Sequence, residues 1–239
     1  MPITRQTIVH EGPGGLFESI TVFDDAANAS QPGILLFPNV LGIKDADCAY
    51  AERVAALGYA VLVADVFGQG KRTTREQADA GRYMAELNAD RALLRDRTHA
   101  AHALLKGMDG VDAARTAAIG FCFGGKCVLD LARSGADMAG GVSFHGVYDA
   151  PPFPHAPISA KLLICHGWDD PFAPLDATVA LARELTEAGC DWQIHAYGGT
   201  GHAFTDESVH MPEKGLAYSA DADRRSFKAM ADFLGELFD

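Results

Sequence analysis

The sequence is poor in several things, and each shortage excludes a class of function. No stretch approaches about 18 consecutive uncharged apolar residues, so no membrane-spanning helix is expected. The opening Met1-Pro2-Ile3-Thr4-Arg5-Gln6 lacks the apolar core of a signal peptide. Cysteine is scarce and unpaired in pattern. The five, Cys48, Cys122, Cys127, Cys165 and Cys190, are odd in number, scattered, and contain no C-x-x-C. That speaks against a disulfide framework or a zinc site and for a reducing compartment, so the cytoplasm is the expected location. Basic residues are outnumbered, 20 against 32 acidic, for a formal charge of −12. With no basic cluster to offset it, such a surface repels nucleic acid and anionic membranes, and neither is expected as a partner. Repeats, linkers and low-complexity tracts are also missing.

What remains is an ordinary globular composition, 48% hydrophobic and 22% charged over 239 residues. Residues 6–10 and 17–23 read as a hairpin around Gly12-Pro13-Gly14-Gly15, and 24–32 as a polar turn. Short apolar runs follow at 33–37, 59–64, 115–119, 140–145 and 161–166, with an alternating one at 191–197. Continuous apolar runs of this length fit strands buried on both faces. Helical spacing falls between them, at 45–57, 90–108, 126–132, 177–188 and 221–237, with a shorter helix within 75–87. Alternating strands and helices predict a mostly parallel central sheet with helices on both faces. The length suits one domain over residues 1–239.

The organising stretch is Ile119-Gly120-Phe121-Cys122-Phe123-Gly124-Gly125. It has the G-x-nucleophile-x-G form of a strand-to-helix elbow, with cysteine at the corner. A thiol there stands at a helix N-terminus, which favours its anion. Two further strand-end loops carry chemistry: Gly167-Trp168-Asp169-Asp170-Pro171, and Gly199-Thr200-Gly201-His202. In chain order this gives nucleophile, acid, histidine. Cysteine supplies the nucleophile, imidazole moves the proton, and a carboxylate fixes the imidazole's tautomer. Asp169 competes with Asp170 for the acid, and His145 and His166, also at strand ends, compete with His202. The N–H of Phe123 and that of Val40, in the loop after the run at 33–37, are candidate oxyanion donors. Phe37, Phe123, Trp168 and Phe204 are candidates for an apolar wall.

These motifs, with Phe172-Ala173-Pro174 after the acid loop and Ala203-Phe204 after the histidine, resemble the dienelactone hydrolase family over nearly the whole chain. The resemblance implies an α/β-hydrolase fold, no metal and no organic cofactor. It implies Cys122 as nucleophile, Asp170 rather than Asp169 as acid, His202 as base, and Val40 and Phe123 as oxyanion donors. Two positions depart from the family archetype. Its glutamate before the first oxyanion donor is Asn39 here, and its carboxylate-binding arginine four residues after the histidine is Asp206. Arg82 is a candidate for a second carboxylate-binding arginine, against a plain reading as a solvated helix residue. The expected substrates are therefore small neutral esters or lactones cleaved through a thioester, with phosphotriesters as an extension. The alternatives are a true carboxymethylenebutenolidase or, in another class, a non-catalytic thiol sensor or binding protein. A monomer or homodimer is expected.

Overall fold

The computed structural model describes residues 3–24 and 30–238; part of the expected turn at 24–32 lies outside them. Among the described residues no helix is long and apolar enough to cross a membrane. Two compact units divide the chain, Met1–Ala118 and Ile119–Asp239.

In the first unit, strands β1 (Ile3–Gly12) and β2 (Gly15–Asp24) form an antiparallel hairpin. Gly14 and Gly15 take positive φ at its turn, 88° and 142°. β2 pairs antiparallel with β4 (Ala60–Val63), which pairs parallel with β3 (Gln31–Phe37). Ile34, Leu35, Leu36, Val61, Leu62 and Val63 are fully buried, as continuous apolar strands between helix layers should be. Helix α1 (Asp45–Ala55) follows β3, and α2 (Arg82–Ala89) and α3 (Arg91–Lys106) follow β4. The helix expected within 75–87 begins only at Arg82. Before it the chain makes turns, with Gln77 N donating to Thr74 O and Arg82 N to Asp79 O, and Gly81 sits at the cap. Asp90 then caps α3 by accepting the Leu93 N–H at 2.9 Å. β5 (Val111–Phe121) starts in this unit beside β3 and ends in the next.

The second unit continues from the end of β5 into α4 (Phe123–Arg133), β6 (Gly140–Phe144), β7 (Lys161–Gly167), α5 (Leu175–Glu187), β8 (Trp192–Tyr197) and α6 (Ala220–Phe238). β6, β7 and β8 pair in parallel in that order. A two-residue hairpin, β9 (His210–Met211) with β10 (Leu216–Ala217), was not expected from the sequence. Every residue of α4 is buried, charged ones included. Each charge is therefore paired: Lys126 with Asp149 at 2.8 Å, Asp130 with Arg133 at 3.3 Å, and Arg133 also with Glu184 through two bonds of 2.6 and 2.8 Å.

Candidate active site

The strand β5 ends at Phe121 and helix α4 begins at Phe123, so Cys122 alone makes the corner. Its backbone sits at φ 55°, ψ −112°. That is a strained region for an L-residue, costing about 1–3 kcal/mol, and strain of this kind clusters where function requires it. Two neighbours are glycine for a measurable reason. A Cβ on Gly120 would lie 2.1 Å from the carbonyl oxygen of Gly124, and one on Gly125 would lie 2.5 Å from Ser143 Oγ and 2.8 Å from the Gly146 Cα. Cys122 N donates to Phe144 O at 3.0 Å, which ties the corner to the end of β6. The thiol is left half-buried at the helix N-terminus.

The turn after β7 separates its two carboxylates. Asp170 N donates to Gly167 O at 3.1 Å and Asp169 N to Thr200 O at 2.9 Å. Asp169 ends up exposed, whereas Asp170 is buried. Asp170 Oδ2 accepts from Nδ1 of His202 at 2.7 Å, and Oδ1 accepts the Phe172 N–H at 2.8 Å.

His202 is held from both sides of its backbone. Its N–H donates to Gly215 O at 2.8 Å, and its carbonyl accepts the Ala217 N–H at 3.1 Å. The β9–β10 hairpin thus fixes where the imidazole starts. The side chain is buried and hydrogen-bonds Asp170 on one side and Cys122 on the other. Burial alone would lower its pKa, but the Cys122 charge, the Asp170 bond and the Cys122 bond outweigh it, and the value is pushed up to about 10. His202 therefore holds its proton more tightly than a free imidazole does, with Asp170 and Cys122 as its neighbours.

The competing histidines are placed differently. His166 is fully buried, with Nδ1 3.1 Å from the Tyr148 hydroxyl and Nε2 3.3 Å from Thr178 Oγ1. Burial lowers its pKa. His145 touches His202 directly, with ring centroids 5.0 Å apart. Phe172, part of the motif after the acid loop but given no role from the sequence, also packs edge-on to His202, at 4.9 Å, and is half exposed. Its only sequence signal is its place two residues after Asp170.

The remaining candidates divide between the units. In the second, Phe123 heads α4, where backbone N–H groups point out of the helix start. Phe123 and Phe204 are fully buried and Trp168 is half exposed, so of these three aromatics only Trp168 presents a surface to solvent. Phe204 packs its ring on His145 and Tyr197. Asp206 caps a turn, accepting from Ser208 N at 3.1 Å and Ser208 Oγ at 2.5 Å. In the first unit, Phe37 is core. Asn39 is buried and its Oδ1 accepts the Leu41 N–H at 3.0 Å, shaping the loop that carries Val40. Arg82 is engaged by its own neighbours: Asp79 at 2.9 Å, Gln77 at 3.0 Å and the Tyr83 ring, 4.5 Å below the guanidinium. Among the described residues no group of three or more His, Cys, Asp or Glu side chains is placed to hold a metal ion.

A model of the dienelactone hydrolase family matches residues 20–238. Among solved structures, a dienelactone hydrolase-like promiscuous phosphotriesterase from metagenomic libraries superposes with a TM-score of 0.91 at 32% identity, covering 100% of both chains. A Caenorhabditis elegans protein described only as uncharacterized is 34% identical over 151 residues, 61% of this chain and 94% of that one. A Bradyrhizobium protein named "Probable 2-oxo-3-(5-oxofuran-2-ylidene)propanoate lactonase" is 25% identical over 72% of this chain and 73% of its own. The mostly parallel sheet with its helices is that of the α/β-hydrolases.

Proposed function

The chain belongs to the dienelactone hydrolase family, and we propose that it cleaves small neutral esters or lactones with Cys122, His202 and Asp170. The observation that carries the reading is the buried bond from His202 Nδ1 to Asp170 Oδ2 at 2.7 Å, on a side chain whose other partner is Cys122. We read Cys122 and His202 as a resting thiolate and imidazolium. The thiolate attacks the substrate carbonyl carbon, and the carbonyl electrons move to its oxygen. The N–H of Phe123, at the start of α4, stabilises this oxyanion. As it collapses, the bond to the leaving oxygen breaks and His202 gives that oxygen its proton, leaving a thioester on Cys122. A water then gives a proton to His202 and attacks the thioester. Collapse expels the Cys122 thiolate, releases the acid and restores the imidazolium. Asp170 keeps the proton-bearing nitrogen aimed throughout.

The fit to a phosphotriesterase of the same family supports the same site acting on neutral triesters, with the thiolate attacking phosphorus and an aryloxide leaving. The family match runs through both units, which supports reading residues 1–239 as one hydrolase domain. None of the five cysteines is in a disulfide, which fits the cytoplasm.

An activated aryl ester tests the reading. Wild-type protein should release a burst of aryl alcohol stoichiometric with Cys122, and the acyl group should be found on that residue by mass spectrometry. Cys122→Ala should keep the fold and lose roughly 10³-fold or more in kcat. A Cys122→Ala variant with most of its activity left would make Cys122 no nucleophile. A wild-type protein that binds such esters without turnover would favour the thiol-sensor alternative.

A further inference from the structure

Among the described residues, three that are not glycine have positive φ: Cys122 at 55°, Ala203 at 60° and His145 at 36°. The first is the corner and the second adjoins His202. The third closes the set in space, because the His145 ring lies 5.0 Å from that of His202 with the planes 68° apart. Backbone strain in an L-residue persists only where the surroundings fix it. Here they do: His145 N donates to Cys165 O at 2.8 Å, and the carbonyl just before it accepts from Cys122 N at 3.0 Å. The side chain is fixed as well. Its Nε2 lies 2.8 Å from Thr205 Oγ1, and its ring packs edge-on to Phe204 at 5.0 Å. The residue is 2% exposed.

The bond from His202 to Asp170 holds one nitrogen. The bond to Cys122 holds the other, and the ring's tilt about the line between the two is left to packing contacts. The His145 ring supplies one from within the same unit. Phenylalanine would give the ring without the bond to Thr205, and glutamine the bond without the ring. Histidine gives both.

We propose that His145 is a positioning residue that sets the tilt of His202, and so the aim of Nε2 at the Cys122 sulfur and the leaving oxygen. It rests on the reading of His202 as the proton carrier. Three variants test it: His145→Asn, because asparagine tolerates positive φ and removes the ring; His145→Phe; and Thr205→Val. Each is assayed with a neutral aryl ester, melted, and alkylated with iodoacetamide from pH 5 to 9. His145→Asn should lower kcat roughly ten- to a hundredfold, the scale of a small misplacement of reacting groups, with KM within about twofold. Its Cys122 alkylation curve should move to higher pH, because a misaimed imidazolium holds the thiolate less well. His145→Phe and Thr205→Val should shift both readouts the same way, by less. Lower melting temperatures with unchanged kcat and unchanged alkylation curves would make His145 a packing residue and overturn the proposal. If His145→Asn does not fold, the other two variants decide by the same readouts. An active Cys122→Ala would instead sink the underlying reading, whatever the His145 variants do.

Discussion

Asp170 and His202 meet through one short bond, Nδ1 to Oδ2 at 2.7 Å, between residues that are 2% and 3% exposed. The second carboxylate oxygen is occupied by the Phe172 N–H. Asparagine at 170 would keep this shape and could turn its NH₂ toward Nδ1, stabilising the neutral tautomer whose proton sits on Nε2, so that this nitrogen can no longer act as a base. Asp170→Asn should therefore fold normally and lose roughly 10³- to 10⁴-fold in kcat. Asp169→Asn, at an exposed position outside this bond, should stay near wild type. Equal losses in the two variants would refute the assignment.

Thiol chemistry should single out Cys122. Burial pushes Cys165 up to about 12 and Cys190 up to about 11, and it also raises Cys48. Cys127 is fully buried. Cys122 instead sits half-buried at a helix start beside His202, whose pKa is raised, and both neighbours favour a thiolate. Iodoacetamide at pH 6 should label Cys122 alone and abolish esterase activity in step. Labelling that becomes fast only above about pH 8.5, the range of an ordinary thiol, would contradict the resting ion pair.

The raised His202 pKa also has a consequence for stability. A group whose folded value lies above its unfolded one stabilises the fold most below the unfolded value. For His202 the contribution is complete below about 6.5 and disappears as pH rises through about 10. The melting temperature of wild type should fall across that window more steeply than that of His202→Gln. Parallel curves would show that the imidazolium carries no net stabilisation.

Substrate charge should matter. Position 206 carries an aspartate, the guanidinium of Arg82 is taken up by Asp79, Gln77 and Tyr83, and the net charge is −12. Burying an unpaired carboxylate is costly. For matched aryl esters, kcat/KM should favour the neutral one over its ω-carboxylate analogue by about tenfold or more, roughly 1.4 kcal/mol. Asp206→Arg should narrow the gap. A carboxylate preference at low and moderate salt alike would reveal a cation in the pocket and favour the carboxymethylenebutenolidase reading.

The features legible in sequence were those set by local backbone chemistry. Alternating apolar runs and helical spacings gave the strands and helices, because burial on both faces leaves a continuous apolar signature. The corner at Cys122 was legible because only glycine at 120 and 125 admits the close approaches of Gly124, Ser143 and Gly146. Their spacing is written in the chain. Tertiary structure decided what depends on registers between distant segments. From the residues alone, Asp169 and Asp170 were equivalent. A turn bonded to Gly167 and Thr200 buried one and exposed the other, and it brought Asp170 to a histidine 32 residues away. The hairpin that holds the His202 backbone is only two residues per strand, too short for any period to show. His145 looked like one more strand-end histidine. Its bond to Thr205 spans 60 residues and exists only because parallel strands bring their C-terminal ends, and the loops that follow them, to one edge of the sheet.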